Sequence, residues 1–201
     1  MHQVAAIVLA AGRSSRMGAH KLLIEFGGVP LIRYSVQAAT ASQADPVIVV
    51  LGHNEEAVRS VLPAGRQMYV TNEEFSSGMA TSLQAGILAV PESASAAIIL
   101  LGDQPLVSAD LIDAILAASA VHPDRIVATG YGSRMGTPVL FPRALFAELL
   151  ATTGDVGGRE VIQHHVDELV LIPAPSAVMA VDVDTREDVE HLRRIWKGRM
   201  S

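Results

Sequence analysis

The chain has 201 residues, half of them apolar and 18% charged, which is material for one ordinary hydrophobic core and against a disordered or low-complexity chain. Lys plus Arg is 15 against 21 for Asp plus Glu, a net charge of −6, which excludes the basic footprint of non-specific nucleic-acid binding but leaves room for a local phosphate pocket. Cysteine is absent, so disulfide scaffolds, zinc fingers, iron–sulfur clusters and thiol nucleophiles are excluded; with neither a secretory signal nor a window of about 18 apolar residues, no membrane partner and a cytoplasmic location are expected.

In chain order, three runs are short and almost wholly apolar: VAAIVL at 4–9, VIVVL at 47–51 and AAIILL at 96–101. Runs without alternation read as strands buried on both faces, the mark of a parallel sheet. Weaker strand candidates lie at 67–70, 126–129, 138–141 and 169–172. Helices are expected between them at 31–40, after Pro30 at a first helical position; at 55–62, capped by Asn54; and at 79–90, 109–120, 144–152 and 158–166. The last, 186–197, is the clearest. Val189, Leu192, Ile195 and Trp196 recur at helical spacing, and Thr185 with Asp188 three residues on approaches a capping box. This alternation predicts an α/β fold, a Rossmann-like three-layer α/β/α sandwich around a mostly parallel sheet. No composition shift divides the chain, so residues 1–201 are read as one domain. Ligands in such folds bind beyond the carboxyl ends of the strands, which directs attention to the residues after Leu9, Leu51, Leu101 and Val181.

After the first run comes LAAGRSSRMGAHK, Leu9 to Lys21. It is neither a Walker A loop nor a G-x-G-x-x-G fingerprint. Small residues at Ala10, Ala11 and Gly12 let backbone approach a ligand, turn amides make an anion nest, and Arg16 and Lys21 bring positive charge. The alternative is a solvated strand–helix loop.

Further along, GMATSLQAG opens a helix, placing Gly78 and Ser82 near first-turn amides that could attract polar ligand groups or simply form an ordinary helix start. Asp103, in GDQP, closes the most apolar strand. It is either a turn former or a hard oxygen ligand for Mg²⁺, with Mn²⁺ also admissible. Arg159 ends GDVGGR in a helix first turn, where a cation opposes the dipole, so a ligand or acidic partner would have to favour it. Asp182 and Asp184 fall on one side if their strand continues, whereas Asp184 could equally belong to the cap of the last helix. The seven histidines show no H-E-x-x-H spacing, and G-x-S-x-G is absent.

The pattern L-A-A-G-x-S-x-R-M-G-x-x-K resembles the signature of the MobA-like NTP transferases that act on the molybdenum cofactor, and it is complete from Leu9 to Gly18 and at Lys21. Ala11 (where the guanylyl branch has Gly), G-M-x-x-S-L-x-x-G and G-D-Q-P are similar to the cytidylyl branch. The resemblance covers nearly the whole chain. It implies transfer of CMP from CTP to the phosphate of molybdopterin, with release of pyrophosphate.

By the same resemblance, residues 1–105 form a nucleotide half and 106–201 an acceptor half. Leu9, Ala10, Ala11, Gly12, Arg13, Ser14, Gly78 and Ser82 would hold the nucleotide. Arg16, Lys21 and Asp103 would carry the catalysis, Asp103 and Asp184 the metal, and Gly136, Pro138 and Arg159 the acceptor. Thr137 stands where the family normally has His. A transient contact with a molybdenum hydroxylase is implied as the destination of the product. Competing expectations are guanylyl transfer to the same acceptor, a sugar- or polyol-phosphate nucleotidyltransferase, and a non-enzymatic cofactor carrier.

Overall fold

The computed structural model describes residues 3–13 and 20–199. The three apolar runs form β1 (Val4–Leu9), β4 (Val47–Leu51) and β6 (Ala96–Leu101), with the bounds read from sequence. Between the first two stand a small hairpin, β2 (Glu25–Phe26) and β3 (Val29–Pro30), and helix α1 (Leu31–Ala41). Pro30 lies one residue ahead of the first helical position rather than on it. Next come α2 (Glu55–Ser60), β5 (Gln67–Thr71) and α3 (Met79–Leu88). The second half adds α4 (Ala109–Val121), β7 (Val127–Tyr131), β8 (Arg134–Pro142), α5 (Phe146–Ala151), α6 (Arg159–His164), β9 (Val170–Pro173) and α7 (Arg186–Arg199).

Seven strands make one sheet in the order β5-β4-β1-β6-β8-β7-β9. The first four are mutually parallel and β7 runs parallel to β9; β8 is antiparallel to both its neighbours. The sheet is thus mostly parallel, as the apolar runs imply.

Alternation along the strands assigns each residue to a layer. Val4, Ala6 and Val8 of β1, with Val47, Val49 and Leu51 of β4, pack under α1, α2, α4 and α7 through Leu31, Val36, Val58, Ile112, Ile115 and Leu192. Ala5 and Ile7, with Ile48, Val50, Ala97 and Ile99, face the other way. They meet α3, α5 and α6 through Leu83, Ile87, Phe146, Leu149 and Val161. A strand that feeds both layers has no polar face to offer, which is why β1, β4 and β6 read as unbroken apolar runs.

Two local expectations are corrected. Asn54 adopts a left-handed conformation (φ 58°) and makes no side-chain cap, so α2 begins without one. The apolar run before Asp182 is a 3₁₀ turn, Ala177–Ala180, not a strand. The relation between Asp182 and Asp184 therefore does not follow from strand alternation. The capping box at the last helix does form: Asp188 N–H donates to Thr185 Oγ1 at 3.2 Å, and Asp188 Oδ2 accepts from Thr185 N–H at 2.8 Å. Among the described residues no helix is long and apolar enough to cross a membrane.

Candidate active site

The connections leave β1 toward β4 on one side and toward β6 on the other, so the chain order reverses between β1 and β6. A crevice opens at such a switch point, beyond the strand ends Leu9 and Leu101. Gly102 turns tightly here. Its N–H donates to Leu9 O at 2.9 Å, and a Cβ would lie 2.8 Å from Ile32 Cδ1 and 3.1 Å from Leu9 O. A side chain at 102 would push the following carboxylate away from β1.

Asp103 and Asp184 converge on one cation. Lys21 Nζ donates to Asp103 Oδ2 at 2.5 Å and to Asp184 Oδ1 at 2.7 Å. The Lys21 and Asp103 side chains are only 15% and 14% exposed, and Asp184 is 50% exposed. Burial disfavours the Lys21 charge, but the Asp103 and Asp184 carboxylates outweigh it, and the Lys21 pKa is raised above its ordinary value. These residues come from three separated segments, the loop after β1, the end of β6 and the start of α7. A backbone bond joins the last two, Val183 N–H to Asp103 O at 3.3 Å.

A cavity of about 350 Å³ lies over this group, lined among others by Leu9, Ala10, Ala11, Gly12, Arg13 and Lys21, and across from them by Gly78, Ser82 and Asp103. Its size suits a small-molecule site. The Arg13 guanidinium lies 5.1 Å from the centroid of the Phe75 ring. Ser14 and Arg16 lie outside the described residues.

The start of α3 differs from expectation. Its first amides are not open to a ligand: Met79 N–H donates to Asp155 Oδ1 at 3.2 Å and Ala80 N–H to Gly154 O at 2.9 Å. Ser82 Oγ accepts from Asn72 Nδ2 at 3.0 Å. Gly78 has φ 112°, and a Cβ there would fall 2.5 Å from Gly154 O, so the loop that caps α3 requires glycine at this point. Gly78 and Ser82 still line the cavity, but as wall rather than as donors from an uncapped helix end.

A second cavity, about 460 Å³, adjoins the first; both are lined by Leu9, Met79, Leu101 and Asp155. Its wall includes Gly136 and Arg159, two of the three residues expected on the acceptor side, and also Arg134. Pro138 is buried behind the wall, its carbonyl accepting from Thr129 Oγ1 at 2.8 Å.

Gln104, only 4% exposed, was not anticipated as a functional side chain. Its Nε2 donates to Asp182 Oδ1 at 2.5 Å, and its Oε1 accepts from Thr137 Oγ1 at 2.7 Å. Tyr131 in turn donates from its hydroxyl to Thr137 O at 2.6 Å. Burial pushes the Tyr131 pKa up to about 12, so the phenol stays a donor. Desolvation raises the Asp182 pKa, helped by the charges of Asp103 and Asp184, against the opposing bond from Gln104. No local pattern advertises this chain of bonds, because the links from Thr137 to Gln104 and from Gln104 to Asp182 span 33 and 78 residues. The Gln after Asp103 was the one hint.

Chemically, the arrangement offers a paired carboxylate–ammonium centre whose Lys21 and Asp103 line the first of two adjoining cavities, that one walled by a small-residue loop and the second bordered by guanidinium groups. Comparison with known proteins gives this centre a context. A profile of the MobA-like NTP transferase domain matches residues 6–169. The bifunctional protein GlmU of Anaeromyxobacter dehalogenans (strain 2CP-C) is 38% identical over 120 residues, 57% of this chain and 25% of that protein. The chain therefore spans about a quarter of the length of that curated relative. Nicotine blue oxidoreductase of Paenarthrobacter nicotinovorans is 28% identical over 198 residues, 94% of this chain and 96% of that protein. A nucleotidyl transferase from Methanothermobacter thermautotroptrophicus superposes with a TM-score of 0.87 at 24% identity, over 100% of both chains, and so shares the fold.

Proposed function

The chain belongs to the MobA-like NTP transferase family, and on that premise we propose that it transfers CMP from CTP to the phosphate of molybdopterin, releasing pyrophosphate. The observation that carries this reading is the pair of adjoining cavities, with Lys21 and Asp103 lining the first and Asp184 bonded to Lys21. A group transfer between two bulky substrates needs two neighbouring pockets and a charged centre near their boundary.

In this reading the nucleotide lies against Leu9, Ala10, Ala11, Gly12, Arg13, Gly78 and Ser82, and the acceptor against Gly136 and Arg159. Ser14 and Arg16 complete the nucleotide loop. The acceptor phosphate oxygen attacks the α-phosphorus of CTP, the bond to the β-phosphate oxygen breaks, and pyrophosphate leaves. A phosphate monoester has a second pKa near 6, so it is already ionised and needs no general base. The obstacle is repulsion between two anions. Lys21, with its raised pKa, stays charged and offsets that repulsion, as do Arg13 and Arg16. Arg159 orients the acceptor phosphate.

The donors present fit a hard divalent cation. Two carboxylate oxygens from separate segments already meet at one cationic atom, and Mg²⁺ or Mn²⁺ is commonly held by one or two carboxylates, with substrate phosphates and water completing the shell. Asp103 and Asp184 would hold it. Bound there, such an ion supplies Lewis-acid neutralisation of phosphate oxygens.

The test is to incubate the protein with molybdenum-loaded molybdopterin, Mg²⁺ and CTP, GTP, ATP or UTP in parallel, and to quantify pyrophosphate. Many turnovers with CTP alone are expected. Turnover with GTP instead overturns the reading of Ala11. Stoichiometric acceptor binding without pyrophosphate makes the chain a carrier, whereas turnover only with a sugar or polyol phosphate moves it to another acceptor class. A second reading rests on the near full-length similarity to an oxidoreductase. Redox turnover of nicotine blue, with no pyrophosphate from any nucleotide, would favour it.

A further inference from the structure

We propose that Gln104 is a positioning residue that sets the spacing of the Asp103 and Asp184 carboxylates, and that Thr137 fixes the sense of its amide. The inference rests on the reading of those two carboxylates as the cation site and goes beyond it. Two segments must be held together for the pair to converge, the turn at 102–104 and the stretch at 182–184. One link is the backbone bond from Val183 N–H to Asp103 O, 3.3 Å, long for such a bond. A second is the Gln104 amide, bonded at 2.5 Å to Asp182, and the Lys21 ammonium, which bonds both carboxylates, is a third. Ser35 Oγ steadies the turn from behind, 3.2 Å from Gly102 O and 3.4 Å from Gln104 O.

The direction of the Gln104 amide follows from its neighbours. Reversing it would aim Oε1 at the Asp182 carboxylate, oxygen against oxygen. With NH₂ facing Asp182, Oε1 faces Thr137, whose hydroxyl donates to it. The Thr137 carbonyl is occupied by Tyr131. Every member of the chain therefore has one assigned role, and the bonds run in one direction from Tyr131 to Asp182. A buried network that is fully paired in this way is stiff, whereas removing one member leaves the others seeking partners. Gln104, Thr137, Tyr131 and Asp182 also line the larger cavity. The wall of that cavity and the carboxylate pair are consequently joined through one amide.

A group that orients a cation's ligands without touching the cation characteristically changes metal affinity by about 10- to 100-fold when removed. The experiment is Mn²⁺ titration of the full chain, read by the electron paramagnetic resonance of free Mn²⁺, with circular dichroism as the check on folding. Gln104→Leu is expected to weaken Mn²⁺ binding about 10- to 100-fold. Thr137→Val is expected to weaken it in the same direction, and Thr137→Ser, which keeps the hydroxyl, to restore it. If Gln104→Leu does not fold, the Val and Ser pair at 137 carries the test.

Asp103→Asn is the control for the cation site. Loss of Mn²⁺ binding in Asp103→Asn, with Gln104→Leu and Thr137→Val both at wild-type affinity, overturns the positioning role alone. If wild type and Asp103→Asn bind alike, or neither binds, the carboxylate pair is not the cation site, and both readings fall. A loss of thermal stability in Gln104→Leu with unchanged Mn²⁺ affinity marks a purely structural contact and likewise overturns the proposal.

Discussion

The Trp196 indole and the Tyr34 phenol meet edge to face, their ring centroids 4.7 Å apart. Tyr34 belongs to α1 and is anchored by a 2.6 Å bond from its hydroxyl to Phe26 O. Trp196 lies in α7, the helix that begins two residues after Asp184. The contact fastens the far end of this helix to the first half of the molecule. Trp196→Ala is expected to lower the unfolding free energy by about 1–3 kcal/mol, less than the 3–5 typical of a fully buried aromatic, because the ring is half-buried. It is the sole tryptophan, so urea unfolding is followed by circular dichroism. A loss under 0.5 kcal/mol, the range of an ordinary surface substitution, would mean that α7 is held by Val189, Leu192 and Ile195 without help from the ring.

Lys21→Met separates two roles of one ammonium. Turnover is expected to fall about 10²- to 10³-fold, the usual effect of removing one group that stabilises transition-state charge. Mn²⁺ affinity is expected to hold or rise, since the ammonium that shares the carboxylates is gone. Pyrophosphate release and Mn²⁺ titration on one preparation check both parts. Parallel losses would show that Lys21 serves the carboxylates rather than the substrate.

Gly78→Ala tests the joint between α3 and the 154–159 loop. A residue with a side chain is strained at φ 112°, at a cost of about 1–3 kcal/mol, and the new methyl would strike Gly154 O. The expected outcome is a lower melting temperature together with a higher KM for the acceptor, because the displaced loop carries Arg159. A higher KM for the nucleotide alone would place the effect on the first cavity.

Acid should weaken the start of α7. Desolvation pushes the Asp188 pKa up, but bonds from the Thr185 hydroxyl and from the Thr185 and Asp184 amides outweigh it, and the net shift is downward. A carboxylate with a depressed folded-state pKa adds stability that is complete above its unfolded value of 3.8 and is lost as pH falls through the folded value. Urea unfolding of wild type and Asp188→Asn should therefore differ at pH 7 and converge as pH falls below 3.8 and through the lower folded value. A difference that persists undiminished at the acid end would assign it to lost geometry rather than charge.

Much of the fold was legible because burial on both faces leaves an unambiguous trace, as in the unbroken apolar runs of β1, β4 and β6. The convergence of Asp103 on Lys21 follows from a related feature: a carboxylate two residues after such a run has little to do in a core. Thr185 and Asp188 could be paired because a capping box is local. The reversed direction of β8 was not legible, since its buried half, PVLFP, is as unbroken an apolar run as a parallel strand's. Nor were the partners of the first α3 amides, because Gly154 and Asp155 lie more than seventy residues away. The chain from Tyr131 to Asp182 joins three separated segments, the β7–β8 hairpin, the turn at 102–104 and the stretch before α7, none of which carries a mark of the others. The apolar run before Asp182 also misled, since Ala177–Ala180 coils into a 3₁₀ turn.

The antiparallel strand β8 also governs how the protein is made. It lies between β6 and β7, and β7 reaches the rest of the sheet only through it. As the chain leaves the ribosome, β1, β4, β5 and β6 can assemble in turn, but one side of AAIILL then waits for a partner until residue 142 has been synthesised. At ~5–20 residues per second that interval lasts roughly 2–8 s. Throughout it a nearly pure aliphatic strand presents an unpaired edge, the kind that captures strands of other chains. Yield on overexpression should thus depend on how quickly the segment after β6 emerges, and slow codons between α4 and β8 would be the first place to look for losses into inclusion bodies.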